Sequence, residues 1–477
     1  MLDLDATKEK VHDHGLLPSS LQPASASRKR LLHFLKPSFL GRNGLSDPNH
    51  VVRPTDFLDG MRGYAAFAVF FCHFAIPAHP KIHTAWGGGH GNGDDHWIGQ
   101  LPILRLVMSG QMCVFLFFVI SGFSISLKPL KLARRGQYAS LFDSLFSATF
   151  RRALRLYLPC VAALLITLFL ITFGAFNFAD SIRTPETWPF PGDPIEGPHI
   201  YKKNWKQWRN FIKCLLAWVD PLNRLVLPET MPYGVQLWTI PVELKCSMIT
   251  WIAILGTAKC TSKVRVWTIT GLAVYFHMQQ HPEVPLFLAG TVLAELHLIR
   301  QEKYPKKPKE TTLQKARDFT VFIIGLWLAS YPRHGGRKSP FTAVLWVIAK
   351  HIVGDKGKLP LYFWTTIAAT LLVWIVDRSQ FLQDMFTTPV GRYLGKVSFP
   401  LYCVHMFLVN WFGYRLILFL WSTFGNDTIF TYEIGVIGGF FLMIPPCLWV
   451  GDIFMRAVDT PCVNLTRYIE QRCMAQF

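Results

Sequence analysis

Charge is what this 477-residue chain has least of. Asp, Glu, Lys and Arg make up 17% of it, where a soluble domain carries about a quarter. Acid is scarcest, with 30 Asp and Glu against 49 Lys and Arg, a net charge of +19. That composition excludes a disordered chain and an ordinary soluble enzyme. The ten cysteines form no disulfide framework. Cys72, Cys113, Cys160, Cys246, Cys403 and Cys447 fall inside apolar runs, where a thiol behaves as a small hydrophobe. No apolar core follows the first basic residues, as a cleavable signal peptide requires. Gly-rich phosphate loops, His-Glu-x-x-His, Gly-x-Ser-x-Gly and Cys-x-x-Cys are all missing, and Ser121-Gly122-Phe123 lacks the elbow pattern. No repeat period stands out, which counts against an inverted-repeat transporter.

What the chain has is apolar bulk: 51% hydrophobic residues, 38 Phe, 16 Trp, 14 Tyr and a mean hydropathy of +0.26. This predicts an all-α polytopic membrane helix bundle whose partner is the lipid bilayer, not nucleic acid. A spanning helix needs ~20 mainly apolar residues. Ten stretches come close, at 58–77, 103–127, 156–178, 235–257, 264–281, 284–300, 318–332, 361–377, 394–420 and 432–455. The runs 211–219 and 341–353 are too short to cross and read as interfacial helices. Residues 1–50 read as a disordered cytosolic tail and 456–477 as a cytosolic C-terminal tail. The loops 128–155 and 301–317 are strongly basic and belong inside by the positive-inside rule. The segment 333–360 falls outside on this scheme although it holds Arg333, Arg337, Lys338, Lys350, Lys356 and Lys358. An endomembrane or plasma-membrane location fits, with both termini cytosolic.

Ionisable residues at membrane depth are costly and point to function. Arg62 and His73 are eleven residues apart, so they share one helix face roughly 16 Å apart along the axis. The alternative is a snorkelling Arg and a core His. Arg152 and Arg155 share a face at i, i+3 just before the third span, either as an inside-positive flank or as a phosphate clamp. Glu243 enters the fourth span two residues after Pro241, which is expected to loosen the helix, and Lys245 is its candidate partner. His405 stands mid-span, a helix–helix hydrogen bonder or a catalyst. His79, His83, His90, Asp94, Asp95 and His96 invite a metal reading, but Pro80 and the glycines from Gly87 to Gly93 argue against a site, so no metal is expected.

Together these residues resemble the acyltransferase-3 membrane family. Leu58-Asp59-Gly60-Met61-Arg62-Gly63 with His73 is similar to its Arg/Lys-x10-His opening helix. Phe117 to Phe123 resembles its second-helix signature, and Arg152-x-x-Arg155 its Arg-x-x-Arg pair. Leu237 to Glu243 is similar to its Trp-Ser-x-x-Val-Glu segment, and Ser398 to His405 to its Ser-x-x-x-Tyr-x-x-His run. The likeness makes 53–455 one membrane domain. The chain departs from the pattern at Pro241, at Leu244-Lys245-Cys246-Ser247 and at Met406. The resemblance implies transfer of an acyl group from acyl-CoA, a substrate and not a cofactor, to a hydroxyl of a sugar, lipid or secondary metabolite. It implies His73 as general base, Arg152 and Arg155 on the CoA phosphates, Arg62 on donor charge, and Glu243 or His405 orienting His73 or the acceptor. The competing class is a proton-coupled transporter relaying protons through His73, Glu243 and His405.

Overall fold

The computed structural model describes residues 34–40, 53–89, 96–184, 186–194, 197–222, 230–279, 281–305 and 309–474. All ten predicted stretches lie on helices, because uninterrupted apolar runs satisfy their backbone groups within one segment only as helix. In chain order these are α1 (Asp56–Ala75), α2 (Gly110–Arg134), α3 (Tyr138–Thr172), α4 (Asn204–Val219), α5 (Thr239–Gly256), α6 (Ser262–Met278), α7 (Glu283–Lys303), α8 (Thr312–Ala329), α9 (Ala343–Val353), α10 (Leu359–Arg378), α11 (Gln380–Phe386), α12 (Pro389–Leu408), α13 (Tyr414–Phe424), α14 (Gly439–Phe454) and α15 (Thr460–Cys473). Two five-residue helical turns, Asn177–Ser181 and Ile429–Glu433, are left unnumbered. Among the described residues there is no sheet, only an isolated bridge between Thr84 and His334.

Six runs are long and apolar enough to cross a membrane: α2, α3, α5 with the turn before it, α10, α12 with α13, and the run from Ile429 to Cys473. The other four predicted spans, α1, α6, α7 and α8, are helices of 17 to 21 residues. Their polar groups or their length keep them below that standard, so length and composition alone do not carry ten crossings. The seventh stretch extends backward to Thr312 and not past Pro332. At 11 residues, α9 is far short of the ~20 a crossing needs.

The run through α12 and α13 is continuous because the turn Val409–Gly413 is π-helical, and Met455–Asp459 joins α14 to α15 in the same way. The C-terminal tail expected at 456–477 is largely helix among its described residues, tied to α3 by Arg151 and Glu470 at 3.2 Å. Of the expected N-terminal tail, 1–33 and 41–50 lie outside the described residues. Within it, the Ser38 amide donates to the buried carboxylate of Asp452 at 3.0 Å, and Arg456 holds the same carboxylate at 2.6 Å.

Buried charge fixes one end of the bundle. Glu295 accepts from Arg134 on α2 at 2.8 Å and from Arg265 on α6 at 2.9 Å. Asp377 on α10 pairs with His297 of α7 at 2.6 Å and with Arg300. A carboxylate this enclosed is tolerable only when paired. Glycines set the closest approaches. A Cβ on Gly122 of α2 would strike the Phe287 carbonyl of α7, and one on Gly290 would strike that of Val119; on Gly63 of α1 it would meet the backbone at Gly395 of α12. Without a hydrophobic drive inside lipid, such small-residue contacts hold helices together. Gly63→Val and Gly290→Val are therefore expected to lower stability by at least the ~1–3 kcal/mol of an overpacked core. Gly271→Val, which faces open space, is the control that keeps the wild-type thermal midpoint in detergent.

Candidate active site

The helices α1 and α12 run parallel, touching at Gly63 and Gly395. Ten residues further along each helix stand His73 and His405, whose ring centroids are 5.4 Å apart and tilted by 32°. His405 is fully buried. Its Nδ1–H donates to the Leu401 carbonyl one turn back at 3.0 Å, and a carbonyl only accepts. Nε2 therefore carries a lone pair, and it meets no partner among the described residues. Among the described residues His405 makes no hydrogen bond to a neighbouring helix. His73 is half-buried and makes no hydrogen bond with a described residue. Phe70 and Tyr402 put their rings 6.1 and 6.0 Å from His405.

Below the imidazoles lies a cavity of about 540 Å³. Its lower walls carry Arg53, Arg62, Arg152, Arg155 and Lys396 against Asp59, Glu243 and Asp459, so cations outnumber acids. Its upper part is lined by Phe117, Thr239, Pro400 and Tyr402. Tyr402 is pinned there: its hydroxyl donates to the Gln236 carbonyl and lies 2.7 Å from Thr239 Oγ1. That bond ties α12 to the start of α5 immediately beneath His405.

The structure joins four of the six sequence-derived residues in this cavity and sets the other two, His73 and His405, together above it. Arg62 pairs with Asp59 on its own helix at 3.0 Å. Glu243 accepts from Arg152 Nη2 at 2.7 Å and from Ser121 Oγ at 2.9 Å, and Arg152 Nε donates to Ser247 at 3.2 Å. Lys245, the expected partner of Glu243, instead meets Glu283 at 3.0 Å. Pro241 does not loosen the helix. It falls in the first turn of α5, where backbone N–H groups have no helical partner to lose. Arg155 makes no hydrogen bond or ion pair with a described residue.

Lys396, Asp459, Ser121 and Tyr402 were given no role from the sequence. For Lys396 the signal was present: it precedes His405 by nine residues on α12, as Arg62 precedes His73 by eleven on α1, so both helices set a cation at one end and an imidazole at the other. The metal-like segment comes apart. His79 Nε2 lies 2.9 Å from Glu433, its ring stacked on Trp97 at 4.9 Å. His90, Asp94 and Asp95 lie outside the described residues.

The Arg152–Glu243 pair is mostly buried, its side chains 15% and 21% exposed. Removing one partner of such a pair costs up to about 3–5 kcal/mol, whereas replacing both with apolar groups of like volume is far milder. In thermal unfolding, Arg152→Met and Glu243→Leu are each expected to destabilise strongly and the double variant to recover much of the loss. Lys245→Met should perturb α5 without coupling to Arg152→Met in the same cycle.

Comparison with known proteins adds the last evidence. Residues 55–455 match the acyltransferase-3 family, described as an acyltransferase domain. The O-acetyltransferase PaAT-1 of Phomopsis amygdali is 29% identical over 93% of this chain and 89% of its own length. The acyltransferase clz18 of Cochliobolus lunatus is 25% identical over 86% and 95% of the two chains, and the acyltransferase R4 of a Phoma species 26% over 76% and 81%. No solved structure matches this chain. A match running from the first residues of α1 to the end of α14, over a bundle of apolar helices, leaves no place for the transporter alternative: the chain belongs to the acyltransferase-3 family and is a membrane O-acyltransferase.

Proposed function

We propose that this enzyme transfers an acyl group from acyl-CoA to a hydroxyl of a sugar, lipid or secondary metabolite, with His73 as general base. The observation that carries this reading is the cation-lined cavity that rises to Tyr402, with the His73–His405 pair immediately beyond it. The Phomopsis relative is an O-acetyltransferase by name, which makes acetyl-CoA the donor to try first.

In the proposed reaction the acceptor oxygen attacks the thioester carbonyl as His73 takes its proton. The carbon–oxygen bond forms, the carbon–sulfur bond breaks, and the proton passes to the departing CoA thiolate. Imidazole suits this exchange because one ring nitrogen can take up the proton and hand it on within a turnover. His405 would position His73: its Nδ1–H is committed to Leu401, so its Nε2 lone pair is the atom available to accept an N–H from the facing ring. Arg155 and Lys396, which make no hydrogen bond or ion pair with a described residue, would take the CoA phosphates directly. Arg152 is shared with Glu243, and a phosphate has to compete for it. Arg62 would stabilise donor charge from the wall of the cavity.

The proposal has a sidedness. The cavity opens at the end that carries the basic loops 128–155 and 301–317, which we place in the cytosol together with both termini, giving ten crossings. The segment 179–234 then lies over the His73 end on the lumenal or extracellular side. The Gly192 amide donates to the Pro77 carbonyl just past α1 at 2.8 Å, which supports such a cap.

With labelled acetyl-CoA and folded, purified protein, His73→Ala is expected to lower kcat by roughly 10²–10⁴, the worth of a general base. Arg155→Gln should raise KM for the donor while kcat changes little. Near-normal turnover by a folded His73→Ala protein would refute the base, and unchanged donor saturation in Arg155→Gln the clamp. In a separate test, a glycosylation sequon inserted near Gly192 should be modified in an ER-targeted host and one near Lys307 should not. The reverse pattern inverts the topology and removes the rationale for transfer across the membrane.

A further inference from the structure

Above His405, on the side away from the cavity, α12 continues through the π turn to Asn410 and Tyr414. Arg183, from the segment after α3, reaches into this region, and its Nη2 donates to Asn410 Oδ1 at 2.8 Å. Asn410 is held for this contact by its own amide, which donates to the Met406 carbonyl at 3.0 Å. Arg183 forms no ion pair with a described residue, and its Nε–H is sheltered from solvent with no acceptor. Burial pulls its pKa below the ordinary arginine value, opposed by nearby Tyr414 and then by Asp180. The Tyr414 hydroxyl is likewise enclosed, 1% exposed, and without a partner. Trp188 and Phe190 put their rings 5.6 and 5.7 Å from that of Tyr414.

Buried donors are normally satisfied, and the exceptions need a reason. Here two donors without an acceptor among the described residues, Arg183 Nε–H and the Tyr414 hydroxyl, lie beside an aromatic wall, and the guanidinium has no ion pair with a described residue. Arg183 meets this helix at Asn410, five residues and roughly 7 Å beyond His405, and Tyr414 stands about one turn further on. The missing component is one anionic acceptor. A guanidinium edge with one phenolic hydroxyl matches a planar carboxylate, whereas a phosphate dianion calls for more donors than these.

We propose that Arg183, with Tyr414, anchors a carboxylate on the acceptor, so that the enzyme acylates hydroxy acids whose hydroxyl and carboxylate lie about one ring's length apart. This rests on the reading of His73 and His405 as the reacting centre. Asn410 would be a positioning residue that holds Arg183.

The probe is 4-(hydroxymethyl)benzoate, which sets the two groups at opposite ends of one ring, compared with its methyl ester. Two readouts are taken on the full chain in detergent: acetyl transfer from acetyl-CoA, and the shift in thermal midpoint without donor. For wild type the acid should exceed the ester in kcat/KM by tenfold or more, the worth of a charge-assisted hydrogen bond. In Arg183→Gln that ratio should fall to near one, and Arg183→Lys should restore part of it. The acid, and not the ester, should raise the midpoint of wild type and of His73→Ala, but not of Arg183→Gln. Stabilisation by the acid with no transfer would uphold the anchor while counting against the proposed reaction. An acid that neither shifts the midpoint nor outruns its ester, or one that acts equally on Arg183→Gln, overturns the anchor.

Discussion

The contact between α1 and α12 at Gly63 and Gly395 sets the geometry of everything above it. A side chain at either glycine would drive the two backbones apart. Because the helices are parallel and each imidazole lies ten residues beyond its glycine, a single register carries both rings to the same height, 5.4 Å apart. A slip of one residue would rotate one ring by about 100° away from the other. The packing of two small residues thus decides whether the bundle has a pair of facing imidazoles or two separate core histidines. A Tyr402–Gln236–Thr239 cluster locks α12 to α5 one turn below, and the π turn at Val409–Gly413 lets the same helix continue toward Asn410 and Tyr414.

Electrostatics divides the bundle along the same axis. The interior of α2, α6, α7 and α10 holds carboxylates that are paired across helices, Glu295 through Oε1 with two arginines and Asp377 with His297 and Arg300. Those networks join helices. Around the cavity the matching is incomplete. Glu243 and Asp59 each engage an arginine, while Arg155 and Lys396 make no ion pair with a described residue, Asp459 being the acid whose field Arg155 feels. Cations that share a small, partly enclosed space repel one another more than they would in water, and an entering polyanion relieves that repulsion.

Much of this was legible in the sequence, and the limits have physical causes. Helices follow from long apolar runs, so all ten stretches lie on helices, although among the described residues only six runs are long and apolar enough to cross a membrane. Eleven-residue spacing placed Arg62 and His73 on one face because that inference uses a single helix. What failed was partnership. Lys245 is two residues from Glu243 and looked like its partner, but residues i and i+2 do not face each other on a helix. The true partner, Arg152, lies 91 residues earlier on another helix. Pro241 was misread because its effect depends on where α5 begins, a boundary that hydropathy does not fix. The segment after 455 looked like a tail because its polar residues dilute its hydropathy, although π turns let α14 run on into α15.

On the proposed reading, the position of Tyr402 explains why two substrates from opposite sides can react without a continuous channel. The cavity ends at its ring, and the imidazoles stand 6.0 Å beyond, counted from Tyr402 to His405. Its hydroxyl is committed to Gln236 and Thr239, so the ring is held as a wall and not as a proton donor. On that reading a slender, flexible chain such as the pantetheine arm of CoA would pass Tyr402 while the bulky, charged nucleotide would stay among Arg155, Lys396 and Arg152. The acceptor, entering past Trp188 and Phe190, never needs to cross it. Keeping the charged portion of the donor in the basic mouth and admitting only its apolar end to the imidazoles avoids bringing phosphate to membrane depth, where an unpaired charge is most expensive. The order found along both α1 and α12, cation first and imidazole two to three turns later, is the arrangement that this division of labour requires.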